Sequence, residues 1–422
     1  MGVRGLMPLL ARFAPRAISM PDAKDLRGLA LAVDSNIFVH RFLKGTDGGS
    51  DDKRHLRGMQ RLVAHARALD TTLLFVFDGE APASGKEAEL EKRQAERART
   101  KRELDAEKAR AQRIGSMAAI SARLLSDDAV GDMPSEERVV TWLEGLADAA
   151  AGSGRADQPE APAATISGRM DQLEAAACGE LLAMLGRREE PPPVPGGRAL
   201  ATLQALSAER LAVLGRRTEP LTGGKLGECV ELVAALGCAT HVTAAGEESE
   251  SVCAELCRAG VVDAVCSEDL DVVAHDARLL RGFGAGAGAH ASMALVDGQR
   301  ARAELGLSRA AFVDLCILCG TDFSSTLERV GPITALQLVR EHGSIERILE
   351  RCPLRPRPRF APATARAVFL PAARPPPIAS RRALELLAPP ADPAAAAELL
   401  GAPRRRALAD GADPFAAGAV LL

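Results

Sequence analysis

Apolar and polar positions fall into blocks along this chain, and each block predicts an element. Residues 29–36 (Leu-Ala-Leu-Ala-Val-Asp-Ser-Asn) and 71–79 (Thr-Thr-Leu-Leu-Phe-Val-Phe-Asp-Gly) are short apolar runs, each stopped by an Asp and a small residue. Runs of that length and ending predict parallel strands covered on both faces. Between them Leu56, Met59, Leu62, Val63, Ala66 and Leu69 recur at helical spacing. Residues 86–113 are dense in interleaved charge, the pattern of a solvated helix carrying i,i+4 pairs. Residues 114–218 read as an insertion with weakly amphipathic helical pieces at 139–150, 169–186 and 199–214. Ala151-Gly152-Ser153-Gly154 and the Pro-rich run 191–197 separate these pieces like linkers, and partial disorder is expected there. Helices follow at 225–236 and 247–259, closed by Gly237 and Gly260. Residues 261–266 predict a third strand, 308–319 a helix and 331–350 a helical hairpin. The tail beyond 351 is rich in Pro, Ala and Arg.

Composition changes the picture only in places. A chain of 422 residues with 47% hydrophobic residues can bury a sizeable core, built from Leu, Val, Ile and Ala because aromatics are 3% and Tyr is absent. The net charge of −3 means that any basic surface for nucleic acid must be local. Of the nine cysteines, Cys316 and Cys319 have CxxC spacing within an apolar helix, without a second pair. They read as buried reduced thiols, with a zinc site the competing reading. No apolar run approaches membrane-spanning length. The first 21 residues carry Arg4, Arg12 and Arg16 and no acid, as a mitochondrial transit peptide would.

The acids carry the chemistry. Asp34, Asp78, Asp269 and Asp271 sit at or just past the carboxyl ends of predicted strands, the edge where open α/β sheets bind ligands. Glu248 and Glu250 open a helix, and Asp322 follows another helix and a Gly-Thr turn. A lone Asp at a strand end is ordinarily a turn former or helix cap. Several acids converging on one edge repel one another, and divalent cations resolve that conflict. Two such ions a few ångströms apart clamp the attacking and leaving oxygens of a phosphodiester. Residue pattern alone leaves both readings open.

The motifs resemble one family. Met1-Gly2-Val3-Arg4-Gly5-Leu6, Ala32-Val33-Asp34-Ser35 and Phe75-Val76-Phe77-Asp78-Gly79 are similar to the N-terminal region of the XPG/flap endonucleases. Glu248-Ser249-Glu250-Ser251 with Ser267-Glu268-Asp269-Leu270-Asp271, and residues 312–323 ending in Gly320-Thr321-Asp322-Phe323, resemble its internal region. Gly331-Pro332 through Ser344-Ile345-Glu346 resembles its helix–two-turn–helix. The similarity covers residues 1–100 and 219–350, and more faintly 351–422.

That resemblance implies an α/β, PIN-like nuclease domain with a mainly parallel central sheet flanked by helices, plus a helix–two-turn–helix of the 5′-3′ exonuclease C-terminal type. It implies two Mg²⁺ ions, with Mn²⁺ able to substitute. Asp34, Asp78, Glu248 and Glu250 mainly hold the first, and Asp269, Asp271 and Asp322 the second. It implies K⁺ at the helix–two-turn–helix. Lys86 and Arg93, seven residues apart, match the pair that contacts the scissile phosphate on the gateway helix, which overrides the solvated-face reading there. Gly2, whose free amine lies near DNA in the family, explains the acid-poor N-terminus better than a transit peptide does. Departures touch the DNA contacts. His40 stands where the family stacks a Tyr on a base, and Gly246-Glu247 replaces Pro-Ser. Arg329 replaces the first Gly of Gly-x-Gly-Pro, leaving Gly331, and Ile333-Thr334 replaces a basic pair.

The implied organisation is a nuclease region at 1–104, an insertion at 105–218 and a second nuclease region at 219–304. The helix–two-turn–helix follows at 305–350 and an extension at 351–422. The implied function is a 5′ flap endonuclease and 5′→3′ exonuclease of replication or repair, cutting branched or 5′-flapped DNA as a monomer. No sliding-clamp motif, membrane segment or secretion signal is found. A nuclear or other intracellular DNA compartment is expected, with a mitochondrial one left open. Two alternatives stand beside this: the same chemistry on bubbles, Holliday junctions, mismatches or RNA, and a non-catalytic DNA-branch-binding scaffold.

Overall fold

The computed structural model describes residues 2–45, 52–79, 87–125, 135–152, 166–187, 198–284, 293–372 and 375–401. It divides into two compact units, Met1–Arg93 with Pro220–Leu422, and Gln94–Glu219.

The first unit is built on a sheet of seven strands: β1 (Ile18–Ser19), β2 (Ala30–Asp34), β3 (Thr72–Phe77), β4 (Ala239–Val242), β5 (Ala264–Cys266), β6 (Arg278–Arg281) and β7 (Ala294–Asp297). Their spatial order is β1-β7-β6-β5-β2-β3-β4. Strands β6, β5, β2, β3 and β4 run parallel, while β7 and β1 are antiparallel additions at one edge. The chain is therefore α/β with a mainly parallel sheet, as the apolar runs predicted.

Strand alternation splits the core in two. Ala32, Leu74 and Val76 face one cluster with Leu6, Leu10, Phe312 and Leu315. Leu31, Val33, Phe75 and Phe77 face the other, with Phe38, Leu62, Val63 and Leu232. A sheet buried on both faces needs apolar residues at every position, hence the continuous runs. Burying one side chain such as Phe75 contributes about 2–3 kcal/mol.

Helix Arg54–Ala68 covers one face, and helices Gly223–Ala235 and Ser249–Arg258 end before Gly237 and Gly260, both left-handed at φ 75° and 73°. Helix Arg309–Cys319 is capped by the Ser308 hydroxyl. The hairpin Pro332–His342 and Ile345–Arg351 follows, turning at left-handed Gly343. Beyond it the tail forms helices Pro362–Phe369, Arg381–Leu387 and Pro393–Leu399. Arg366 docks the first of these, donating from Nε and Nη2 to the buried Asp314 carboxylate at 2.6 and 2.7 Å. Arg381 docks the second, donating to Asp263 at 2.6 Å.

The second unit is helical, with Glu136–Gly152, Ile166–Met184 and Ala199–Thr218 packing with the later turns of Glu87–Leu124 around Met117, Leu143, Met170, Leu182 and Leu203. Glu174 is buried and accepts from Arg110 Nε at 3.0 Å and Arg113 Nε at 2.6 Å. Buried Glu107 accepts from the Ser207 hydroxyl at 2.6 Å. The solvated i,i+4 face holds at Arg99–Glu103 but is corrected at 107–113, where the charges turn inward because opposite charges meet them on other helices. The linkers expected to be disordered fall largely outside the described residues. Among the described residues no helix is long and apolar enough to cross a membrane.

Candidate active site

Four adjacent strands deliver the acids. Asp34 ends β2, in register with Val76 of β3. Asp78 follows β3 by one residue, and Asp269 and Asp271 follow β5. Glu248 and Glu250 begin the helix that follows β4. Because β5, β2, β3 and β4 are parallel neighbours, all of these positions fall at one edge.

Asp34 is the centre. It is 5% exposed and its two oxygens accept from the hydroxyls of Ser249 at 2.8 Å and Ser267 at 2.9 Å. Burial, with the charge of Asp78 and then Asp269, nevertheless raises its pKa to about 7. Asp78 accepts from the Ser249 amide at 2.7 Å and from Asn36 Nδ2 at 2.7 Å. Ser249 thus bridges both carboxylates from between Glu248 and Glu250. Glu250 is buried, and with Asp34 and Asp78 it adds to the burial that pushes the Cys253 thiol well up.

The N-terminus closes the other side. Asp269 accepts from the Asp271 amide at 3.0 Å. Gly2, at φ 79°, lies so near that an added Cβ would stand 1.9 Å from Asp269 Oδ1 and 2.7 Å from Asp271 Oδ1. Two residues on, the Arg4 amide donates to Gly320 at 3.1 Å, and Gly320 leads directly to Asp322. Asp322 is paired with Arg93 at 3.6 Å. The structure therefore brings Asp34, Asp78, Glu250 and Asp269 together, seats Gly2 on Asp269 and Asp271, and joins Arg93 to Asp322. Lys86 lies outside the described residues.

The remaining positions stand further out. His40 is half-buried on helix Ser35–Lys44, directly after Asp34. Arg329 and Gly331 lie on the turn into Pro332–His342, tied back through Gly5, whose Cβ would meet Pro332 at 2.6 Å. Arg329 has φ 60°, the left-handed conformation that favours glycine. At Gly331 an added Cβ would meet nothing within 4 Å, so its backbone is open to a ligand.

Sequence reading missed the donors. Asn36, Ser249 and Ser267 hold the carboxylates, and Thr243 joins the edge by accepting from the Gly79 amide at 3.0 Å and donating to Glu247 O at 3.0 Å. The available signal was a small hydroxyl or amide residue one or two places from Asp34, Glu248, Glu250 and Asp269.

Does this donor set fit cations? Among the described residues no three His, Cys, Asp or Glu already stand in the arrangement of a metal site. The carboxylates turn instead to hydroxyl and amide donors, which relieve mutual repulsion only in part. Asp34 held near 7 beside two other acids is the signature of a cluster that positive charge would relieve. All-oxygen donors suit Mg²⁺ or Mn²⁺ rather than a soft metal. Cys316 and Cys319 are buried free thiols on helix Arg309–Cys319, and burial raises Cys319 to about 12.

The XPG N-terminal domain model matches residues 1–100 and the XPG I-region model matches residues 240–322. The seven acids all fall inside these two segments. These two segments, 1–100 and 240–322, are what the chain shares with the XPG/flap endonucleases. It is 47% identical over 104 residues to flap endonuclease 1 of Ostreococcus tauri, covering 24% of this chain and 27% of that protein. It is 43% identical over 124 residues to flap endonuclease 1 of Ostreococcus lucimarinus, covering 29% and 31%. The matched stretch thus spans under a third of either relative. Among solved structures, flap endonuclease-1 from Methanococcus jannaschii aligns with TM-score 0.44 and 17% identity over 83% of this chain and 81% of that one. The catalytic core of Rad2 in complex with DNA substrate aligns with TM-score 0.44 and 15% identity over 82% and 69%.

Proposed function

We propose that this chain is a structure-specific 5′ flap endonuclease with 5′→3′ exonuclease action, hydrolysing DNA phosphodiesters in replication or repair with two divalent cations. The observation that carries this reading is the convergence of Asp34, Asp78 and Asp269 on one sheet edge, with Asp34 raised to about 7. Asp34, Asp78, Glu248 and Glu250 are the ligands of one ion, and Asp269, Asp271 and Asp322 of the other. Mg²⁺ is the cofactor, with Mn²⁺ able to substitute. When bound, the ions lower the pKa of the attacking water and neutralise charge on the leaving oxygen.

The protein's own groups do the rest. Ser249 and Ser267 fix both Asp34 oxygens, and Asn36 and the Ser249 amide fix both oxygens of Asp78. Gly2 leaves room for the Asp269 and Asp271 carboxylates where a larger residue would displace them. Arg93, which pairs with Asp322, and Lys86 contact the scissile phosphate and stabilise charge developing there. Gly2, His40, Arg329 and Gly331 contact the DNA, with K⁺ bound at the helix–two-turn–helix. The enzyme acts as a monomer in a DNA-containing compartment. The 105–218 insertion and the 351–422 extension are additions to this core.

The test is a series of end-labelled double-flap, bubble, Holliday-junction and RNA substrates incubated with the chain and Mg²⁺. Cutting at the base of the flap, faster than on the others, is expected. Preference for another branch would reassign the substrate, and absence of cutting on all four would remove the enzyme reading.

A further inference from the structure

Beside Asp322 the first unit holds a cavity of about 630 Å³ whose basic residues the chemistry above does not use. Its walls include Arg4, Lys92, Arg357 and Arg359, together with Ser325 and Asp322. The two later arginines come from the tail segment Leu354-Arg355-Pro356-Arg357-Pro358-Arg359-Phe360, where Arg recurs at every second residue.

This segment is fastened to the loop that follows Asp322. Leu327 and Pro356 form an antiparallel bridge. The Glu328 amide donates to Arg355 at 2.9 Å, Arg357 donates to Thr326 at 3.0 Å, and Ser325 donates to Arg359 at 3.2 Å. The Ser325 hydroxyl donates to Arg357 O at 3.3 Å, and the Ala361 amide to the Ser324 hydroxyl at 3.0 Å. The proline nitrogens carry no hydrogen, so the ribbon uses every second residue for pairing. Arg355, Arg357 and Arg359 are all exposed.

Two features point to a ligand. Arg359 holds a left-handed backbone, φ 65°, where glycine would sit without strain. Strain of this kind concentrates at functional positions. Its guanidinium is engaged by Glu91 at 2.7 Å, with the two side chains 59% and 62% exposed. So exposed a pair holds weakly and yields to a better anion. A phosphate accepts two parallel bonds from one guanidinium, a geometry arginine supplies and lysine does not.

We infer that this cavity is a phosphate-binding subsite, formed by Arg4, Arg357 and Arg359, that grips the backbone of the nucleic-acid strand next to the phosphodiester being cut. Glu91 occupies Arg359 until that phosphate arrives. This rests on the nuclease reading above and adds to it the path of the strand on the Asp322 side. A free nucleotide product offers the same phosphate chemistry, and the test separates the two sources.

The experiment measures binding of a fluorescein-labelled double-flap DNA to the full chain in EDTA, over a range of salt, so that cleavage plays no part. Arg357→Ala/Arg359→Gly should weaken binding about ten-fold and lower the slope of log Kd against log[salt] by about 2. Arg359→Gly alone should be at least as stable as the parent, because glycine relieves the strained φ, yet bind more weakly. That opposition separates lost contact from lost folding. Glu91→Gln should tighten binding, since it frees Arg359. If Glu91 and Arg359 merely latch two segments, Glu91→Gln would weaken binding as Arg359→Gly does, and the inference fails. Unchanged affinity and slope in the double variant, with the parent still binding and cutting the flap, would also overturn it while leaving the nuclease reading intact. Displacement of the DNA by micromolar dAMP in the parent but not the double variant would assign the cavity to free nucleotide instead.

Discussion

Gly2→Ala isolates one methyl group at the carboxylate edge. Its Cβ would stand 1.9 Å from Asp269 Oδ1 and 2.7 Å from both the amide and Oδ1 of Asp271. The N-terminal segment cannot easily retreat, because Val3 and Leu6 are buried and Arg4 donates to Gly320 at 3.1 Å. The soft partner is the Asp269 side chain. Restoring van der Waals contact requires a shift on the order of 1.5 Å. Misplacement on that scale costs about 100-fold in rate. The backbone adds a separate cost, since alanine at φ 79° loses about 1–2 kcal/mol of stability. Gly306→Ala is the control, because Gly306 has φ 70° and its Cβ would meet nothing within 4 Å. Single-turnover cleavage of a double flap and urea unfolding, run on both variants, separate the two costs. Both should lose similar stability, and Gly2→Ala alone should lose rate, with flap binding in EDTA retained. Equal rates for the two variants would refute the placement of Gly2 against Asp269.

The remaining predictions concern the arginines. Arg366→Ala leaves the buried Asp314 without its guanidinium and should cost about 3 kcal/mol in urea unfolding at neutral pH; a loss below about 0.5 kcal/mol would remove the docking role of the tail helix. The same arginine holds the Glu346 carboxyl at about 2, below its ordinary 4.5. A depressed acid stabilises above its unfolded pKa, so this share is present above 4.5 and lost as pH falls towards 2; stability of the parent and of Arg366→Ala, compared by unfolding across that window, should converge as pH falls. Arg329→Gly relieves φ 60° and should raise stability by about 0.5 kcal/mol after glycine's extra chain entropy, while lowering the DNA salt slope by about 1; a full salt slope would remove Arg329 from the DNA contacts. Arg93→Ala should slow single-turnover cleavage by about 100-fold or more, and an unaffected rate would make its pairing with Asp322 merely structural.

Strands whose two faces are both buried were the most legible parts of the fold, because burial forces a continuous apolar run. Ala30–Asp34 and Thr72–Phe77 lie within their predicted runs. The run 261–266 shortens to Ala264–Cys266 because the Val261 and Val262 amides turn back to Leu256. Strands Ala239–Val242, Arg278–Arg281 and Ala294–Asp297 carry no such run, being four residues each with polar or charged members. Strand ends and a Glu-x-Glu pair marked six of the seven acids as candidates, while the full ligand set came from the resemblance. Their hydrogen-bond donors were not marked, since Ser249 and Ser267 look like any loop serine until the fold brings both to Asp34. The tail carries only a faint resemblance and a Pro-, Ala- and Arg-rich composition. What folds it onto the first unit is long-range, Arg366 reaching Asp314 and Arg381 reaching Asp263, and no local pattern announces such pairs.

Metal-dependent hydrolysis is assigned to the Asp34–Asp269 edge. Its most direct test is cleavage of a 5′-labelled double-flap DNA with Mg²⁺ by the intact chain and by Asp269→Ala. Cutting at the flap base by the intact chain only is expected, with flap binding retained in both. Equal cutting by the two would contradict it.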